Sequence, residues 1–103
     1  MPTIPTSKTK KSFAELSAFV SRQDVVDALD KACRNKKLLR QAKSDPRRFL
    51  QGEGITLPPR SEITILQRRV AVSGQITICV QVCRQIGRFL VCAQVCITIV
   101  FQT

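Results

Sequence analysis

The 103-residue sequence has no histidine, no tryptophan and no tyrosine. Without histidine, the chain lacks the usual general base of enzymes and the commonest protein ligand of metal ions. Its five phenylalanines are few for stacking against nucleic-acid bases. No apolar stretch reaches the roughly 18 residues of a membrane-spanning helix, and the basic start precedes no signal-peptide apolar run. We therefore expect no enzyme, no cofactor and no metal site.

Charge is distributed unevenly along the chain. The sequence has 17 Lys and Arg residues against 7 Asp and Glu, for a formal net charge of +10. Fifteen of the basic residues and all seven acidic ones precede Gly74, which leaves +8 before it and +2, from Arg84 and Arg88, beyond it. A basic balance favours acidic partners such as nucleic acid, an anionic membrane or an acidic protein surface. Two compositions within one short chain indicate two roles, divided near residue 74.

The part before this division predicts mainly helices. Residues 1–11 contain two prolines, three threonines and three lysines, which predict a disordered basic tail. Beyond the tail, apolar residues recur at steps of three or four, as in an amphipathic helix. Ser12 and Glu15 have the spacing of a capping box for that helix, and Asp24 is placed to cap a second one. A third helical stretch covers about residues 36–43.

Asp45 and Pro46 predict the start of a further short helix. Aspartate is a favoured N-cap residue, and proline suits the first helical position. Gly54 can take the left-handed conformation after the helix ends. The prolines of Leu57-Pro58-Pro59 prevent helix continuation, and the alternation in residues 62–70 predicts a strand.

Residues 75–103 predict a β-hairpin that is held by cysteine pairs. Two C-x3-C motifs, separated by eight residues, contain Cys79, Cys83, Cys92 and Cys96. Cysteines four apart fall on one face of a helix or a strand, and their β-branched neighbours favour the strand. Folding this segment about Gly87 and Arg88 places residues whose numbers sum to 175 opposite one another.

This register pairs like residues with like. Cys83 then faces Cys92, and Cys79 faces Cys96. Five further pairs are identical: Gln81 with Gln94, Thr77 with Thr98, Val80 with Val95, Ile78 with Ile97 and Ile76 with Ile99. The turn is then Ile86-Gly87-Arg88-Phe89, with glycine at the first central position, as a type II′ turn requires.

The two faces of the predicted hairpin differ. One carries the cysteines with threonine and glutamine, and the other is almost wholly apolar, so we expect the apolar face to seek a membrane or a partner. A two-stranded ribbon is marginal alone in water, and two disulfides would stabilise it by about 2–4 kcal/mol each. Reduced core cysteines and a zinc site of four thiolates are the alternatives. We expect Cys33, a lone helical cysteine, to be partly buried.

Two C-x3-C motifs around a turn resemble the disulfide-stapled β-hairpin antimicrobial peptides of the tachyplesin kind. The resemblance implies a membrane-active peptide. Those peptides are strongly cationic and aromatic, whereas residues 75–103 contain only two arginines and two phenylalanines. We therefore expect membrane insertion or oligomerisation rather than killing that depends on lipopolysaccharide.

The first part of the chain carries a second set of motifs. In order, these are Leu38-Leu39, Ser44-Asp45-Pro46-Arg47-Arg48-Phe49-Leu50, Gly52-Glu53-Gly54-Ile55-Thr56-Leu57-Pro58 and Ile63-Thr64-Ile65. A leucine pair, Asp-Pro, an apolar pair, Gly-Ile-x-Leu-Pro and an alternating strand resemble the nitrile-hydratase-like leader peptide family. The resemblance covers about residues 24–70.

This resemblance implies the precursor of a ribosomally synthesised, post-translationally modified peptide of the bacteriocin type. Residues 12–74 would be the leader, recognised in the cytoplasm by a maturation enzyme and a peptidase-containing exporter, and residues 75–103 the exported product. The recognition positions carried over are Asp45, Pro46, Leu50, Gly54, Ile55, Leu57 and Pro58. The cut would fall at Ser73-Gly74, although the family's usual double glycine is absent. The Cys-Ser-Cys metal motif of nitrile hydratase is also absent, which excludes nitrile hydration.

Several alternatives remain at this point. The cysteines could carry disulfides, thioether rings or azoles, and their pairwise symmetry favours disulfides. A small basic nucleic-acid-binding protein is suggested by charge alone, without a recognised motif, so we do not expect a nucleic-acid partner. A self-assembling interaction protein is suggested by the apolar ribbon, which is prone to edge pairing.

The fold class that we expect is α+β. Two or three helices would lie in residues 12–52, followed by strands near residues 62–70, 76–84 and 89–101. The first of these strands could join the hairpin as a third strand.

Overall fold

The computed structural model describes residues 7–68 and 74–100, which form four helices followed by three strands. The elements are α1 (Ser7–Val20), α2 (Gln23–Cys33), α3 (Lys36–Ser44), α4 (Pro46–Gly52), β1 (Glu62–Arg68), β2 (Gln75–Ile86) and β3 (Phe89–Val100). The predicted α+β class is confirmed. The helices form one layer and the sheet the other, so apolar faces of both layers meet in the core.

Helix α1 begins earlier than the sequence pattern indicated. Of the tail predicted to be disordered, residues 7–11 are helical, and residues 1–6 lie outside the described part. Ser12 is not an N-cap, because it lies inside α1 and is buried. Leu16 and Phe19 are buried on the same helix. Packing of buried side chains stabilises a helix in a protein more than a single capping residue does.

The starts of α2 and α3 also differ from the expected caps. Arg22 is at the N-cap of α2 and makes no side-chain cap, whereas Asp24 lies in the first turn and accepts a hydrogen bond from the backbone of Val25 at 2.9 Å. Asn35 caps α3, because its Oδ1 accepts from the backbone N–H of Lys37 at 3.0 Å. Asn35 is a favoured N-cap residue type that the sequence interpretation overlooked.

The sheet is antiparallel with strand order β1-β2-β3. Strands β2 and β3 pair from Gln75 opposite Val100 to Ile86 opposite Phe89, so every pair sums to 175. The predicted hairpin register is therefore confirmed. Strand β1 pairs with β2 over all seven of its residues, which confirms the third strand that the sequence allowed.

The helices cover the apolar face of the hairpin. Buried side chains on the sheet are Ile65, Ile78, Val80, Val82, Val91, Ala93 and Ile99. Helix α1 packs across β2 and β3, while α3 and α4 pack against β1. In the intact chain this face is therefore covered, and the expectation that it seeks a membrane or a partner once the hairpin is released stays a prediction. Burial against amphipathic helices of the same chain removes that face from water.

Candidate functional site

The two disulfides predicted for the hairpin are present. Cys79 is bonded to Cys96 and Cys83 to Cys92, with Cα–Cα separations of 4.0 and 4.1 Å. All four cysteines lie on the sheet face away from the helices. Their sulfurs are bonded to one another and so are not the thiolates that a zinc site needs. The part of the chain that the structure describes holds no group of three or more His, Cys, Asp or Glu suited to a metal ion.

The turn between β2 and β3 has the predicted glycine in the required conformation. Gly87 has φ 58°, and Arg88, the second central residue, does not have a positive φ. This is the φ pattern of a type II′ turn, which matches the twist of the flanking strands. Gln85 supports the turn by donating from its amide nitrogen to the carbonyl oxygen of Gly87 at 3.0 Å.

The cysteine face of the sheet lies away from the helices and is partly exposed to solvent. The hydroxyl oxygens of Thr77 and Thr98 lie 2.9 Å apart across the strands, next to the Cys79–Cys96 disulfide. Cys79 itself is fully buried, because it lies on the middle strand between Leu66 of β1 and Cys96 of β3. The two disulfides therefore lie on the polar face of the strands, while the opposite face of the same strands packs against the helices.

Arg84 is the charged exception on the apolar face. Its side chain is 8% exposed, whereas that of its partner Glu15 is 49% exposed. Nη1 and Nη2 donate to the two carboxylate oxygens of Glu15 at 2.9 and 3.0 Å. Nε and Nη2 also donate to the carbonyl oxygen of Pro59 at 3.2 and 2.9 Å. One hairpin side chain is thus held by two separate segments of the preceding part.

The Glu15–Arg84 contact is a bidentate, charge-assisted pair, the strong kind of hydrogen bond in proteins. The hydrogen bond from Arg84 and its positive charge hold the pKa of Glu15 below its ordinary value of 4.5, against partial desolvation. From the sequence alone, Arg84 is counted only for its charge. The alternation of side chains along a strand nevertheless places Arg84 on the same face as Val80 and Val82.

A tight turn directs the Pro59 carbonyl toward Arg84. Arg60, the next residue, has φ 53°, a left-handed conformation that is uncommon outside glycine. The Ser61 hydroxyl donates to the carbonyl oxygen of Pro58 at 2.7 Å, and the guanidinium of Arg47 donates to the carbonyl oxygen of Ser61. The loop before β1 is therefore held from both sides.

No protein-family model matches the chain, and no curated protein or solved structure matches it. Among the described helices, none is both long enough and apolar enough to cross a membrane. The contact just described joins two parts of the chain, which we name by the roles that the sequence predicts for them: the leader (residues 12–74) and the hairpin (residues 75–103).

Three of the motif residues form the local structure expected of them. Asp45 caps α4 by accepting a hydrogen bond from the backbone of Arg48 at 3.2 Å, and Pro46 follows at the first turn. Gly54 has φ 79° and ends the helical segment, with its N–H donating to the carbonyl of Gln51 at 3.0 Å. These residue types are thus explained by backbone geometry alone.

The seven recognition positions do not form one surface. Gly54, Ile55, Leu57 and Pro58 line a groove between α4 and the loop before β1. Asp45 lines a different groove, on the α3–α4 side. Two of the seven, Leu50 and Ile55, are almost fully buried and hold α4 and the following loop in the core.

The predicted cut site lies at the start of the hairpin. Ser73 is outside the described residues. Gly74 is exposed, has φ 87° and directly precedes β2. Gly74 is therefore exposed at the position where the leader meets the hairpin.

Helices α3 and α4 carry a basic surface. Its exposed side chains are Lys36, Lys37, Arg40, Lys43, Arg47 and Arg48. Asp45 is the one acidic residue within residues 36–52, and its carboxylate caps α4. The positive charges here are therefore not neutralised by acidic residues of the same helices.

Proposed function

We propose that the chain is the precursor of a ribosomally synthesised peptide of the bacteriocin type, in which the hairpin is the product. The location of the disulfides carries this proposal. Both lie within the hairpin, and the described leader cysteine, Cys33, is a free thiol. A backbone cut near Gly74 would therefore leave a hairpin that is stapled to itself and has no covalent bond to the leader.

The contact between leader and hairpin supports the same proposal. While the chain is intact, the apolar residues of the hairpin pack against α1 and α2. Separation from the leader would expose this face on a ribbon whose other face is polar, and such amphipathic surfaces bind membranes or each other. The precursor would thus be harmless to the producing cell, and the released hairpin would be membrane-active and prone to self-association.

The leader has two features that suit recognition by maturation and export machinery. The groove lined by Gly54, Leu57 and Pro58 offers shape, and the basic surface of α3 and α4 offers charge. We expect an acidic surface on the maturation enzyme or the peptidase-containing exporter to meet this basic surface.

The proposal places disulfide formation where the intact chain meets an oxidising compartment, before the leader is cut off. The cytoplasm keeps thiols reduced, whereas extracellular compartments let disulfides persist. In the sheet, Cys79 lies opposite Cys96 and Cys83 opposite Cys92 because of backbone pairing. The thiols can therefore be aligned before any oxidant reaches them.

The mass of the secreted product tests this function. We expect a peptide that begins near residue 74 or 75 and contains both C-x3-C motifs. It should be lighter than its encoded mass by four hydrogens, because each of two disulfides removes two. Intact mass spectrometry of the secreted fraction, before and after reduction, measures this. The Cys92→Ser variant should lose at most two hydrogens, and Cys33→Ser should leave the product mass unchanged.

Two results would contradict the proposal. Loss of water instead of hydrogen would indicate thioether or azole chemistry. Recovery of only the uncut chain, in cells that contain the peptidase-containing exporter, would contradict the precursor function itself.

A further inference from the structure

The four hairpin cysteines present a pairing problem. Four thiols allow three sets of two disulfides, and the structure contains only one. The native set needs the register in which paired residues sum to 175, because this register alone places both cysteine pairs opposite each other. A slip of four residues would leave only one pair of cysteines opposite. An isolated two-stranded ribbon is marginal in water, so its register is weakly fixed before the disulfides exist.

The leader contacts the hairpin in ways that fix this register without disulfides. Strand β1 pairs with β2 from Glu62 opposite Cys83 to Arg68 opposite Thr77. On the other face, α1 packs across both β2 and β3. A slip of one residue in either strand would turn its apolar side chains away from α1 and bring its cysteines inward.

Arg84 fixes the position of β2 against the leader even for slips of two residues. Such a slip preserves the inward and outward faces, so apolar packing alone distinguishes it poorly. It would, however, move Arg84 away from Glu15 and the Pro59 carbonyl and bring an apolar side chain such as Val82 there. The Arg84 side chain, which is 8% exposed, would lose its partners, and this is costly for a buried charge.

We propose that the leader is an intramolecular template for disulfide pairing, in which Glu15 and the Pro59 carbonyl hold β2 in place through Arg84 while α1 packs against β3. This function goes beyond release of the hairpin and does not depend on it.

The oxidant is a low-molecular-weight disulfide such as glutathione disulfide. A cysteine thiolate attacks it and releases one glutathione thiolate, and the opposite cysteine thiolate then displaces the second. Each cysteine pair loses two electrons and two protons and yields two reduced glutathione molecules.

Oxidation of the reduced full chain tests the template. The chain is reduced, transferred to glutathione disulfide, and sampled by acid quenching and thiol alkylation. Trypsin cleaves after Arg84 and Arg88, between the inner cysteines, so disulfides between the strands hold two peptides together, whereas disulfides within each strand let them separate. Partial reduction with tandem mass spectrometry then separates the native pairing from the crossed one.

Glu15→Gln is the decisive variant, because it keeps the shape of the side chain and removes its charge. We expect its ratio of native to mispaired chains to fall by about threefold to tenfold relative to the unmodified chain. Glu53→Gln is the matched control, since it removes an ion pair with Lys31, 3.3 Å away, that lies within the leader. It should pair like the unmodified chain. Arg84→Lys, which keeps the charge without the bidentate geometry, should give an intermediate ratio.

Equal pairing in Glu15→Gln and the unmodified chain would overturn the template. So would an equal loss of native pairing in Glu53→Gln, because general destabilisation would then explain both. Circular dichroism of each reduced variant reports folding. Native pairing in a reduced Glu15→Gln chain that is unfolded would also contradict the template proposal. Mispairing in Glu15→Gln together with native pairing in Glu53→Gln would support it. Cleavage and secretion play no part here, so this outcome is distinguishable from failure of the precursor function.

Discussion

Among single residues, Cys33 differs from the hairpin cysteines because it is a free thiol. Cys33 lies on α2 with 5% of its surface exposed, within the hydrophobic core. Burial raises the pKa of its thiol to about 11, and the nearby carboxylate of Asp30 adds to this, against the opposing charge of Arg34. The expected partial burial is exceeded, and a thiol of this kind is a weak nucleophile because the thiolate is the reactive form.

We predict that Cys33 does not react in the folded chain. At pH 8 about one thiol in a thousand would be ionised, and the sulfur is buried as well. Iodoacetamide should therefore leave the oxidised native chain unmodified over a period in which the urea-denatured chain gains one carbamidomethyl group. Mass spectrometry reads both. Rapid native labelling would show that α2 opens or that this thiol is exposed.

Among the elements, β3 shows most directly how the sheet is oriented. Ala93 is 7% exposed and faces the helices, whereas its neighbour Gln94 is exposed on the cysteine face. The strand contains no charged residue over its 12 positions, and it forms a sheet edge, while the other edge strand carries Glu62 and Arg68. Charged side chains protect edges from pairing with other chains, so β3 is the edge with less of this protection.

Two adjacent lysine substitutions test this orientation. Ala93→Lys would place a charge and a long side chain in the core and should lower the free energy of unfolding by more than about 3 kcal/mol. Gln94→Lys should change it by less than about 0.5 kcal/mol. Urea titration followed by circular dichroism compares the two. Equal effects would mean that the apolar face is not covered by the leader helices.

For the whole molecule, the leader and the hairpin share one core. Glu15 and Arg84 are 69 residues apart in the sequence and form an ion pair between the two parts. The pair connects α1 to β2, so its effect on stability belongs to the complete fold rather than to either part.

The lowered pKa of Glu15 predicts how the stability of the fold depends on pH. A carboxyl group whose pKa is lower in the folded state contributes fully above its unfolded value and loses that contribution as pH falls through the folded one. The contribution of Glu15 should thus be complete above pH 4.5 and decline below it. Urea titrations across this range should show the advantage of the unmodified chain over Glu15→Gln shrinking as pH falls. Parallel profiles would contradict the prediction.

The hairpin could be predicted from the sequence because its determinants are local or repeated. Identical residues at mirrored positions identify one register, and Gly87 supplies the turn. The Asp45 cap, Pro46 and the Gly54 stop are equally local, since each depends on the conformation of one or two residues. Such features depend on backbone chemistry that neighbouring residues already specify.

The fate of the apolar face was decided only by tertiary structure. The sequence shows that Ile78, Val80 and Val82 share one face, but a partner chain, a membrane or the leader could each cover it. Packing of α1 against β2 and β3 settles the matter, and it also places Glu15 beside Arg84. Contacts between segments about 70 residues apart depend on how helices and sheet pack, and no local spacing in the sequence specifies that.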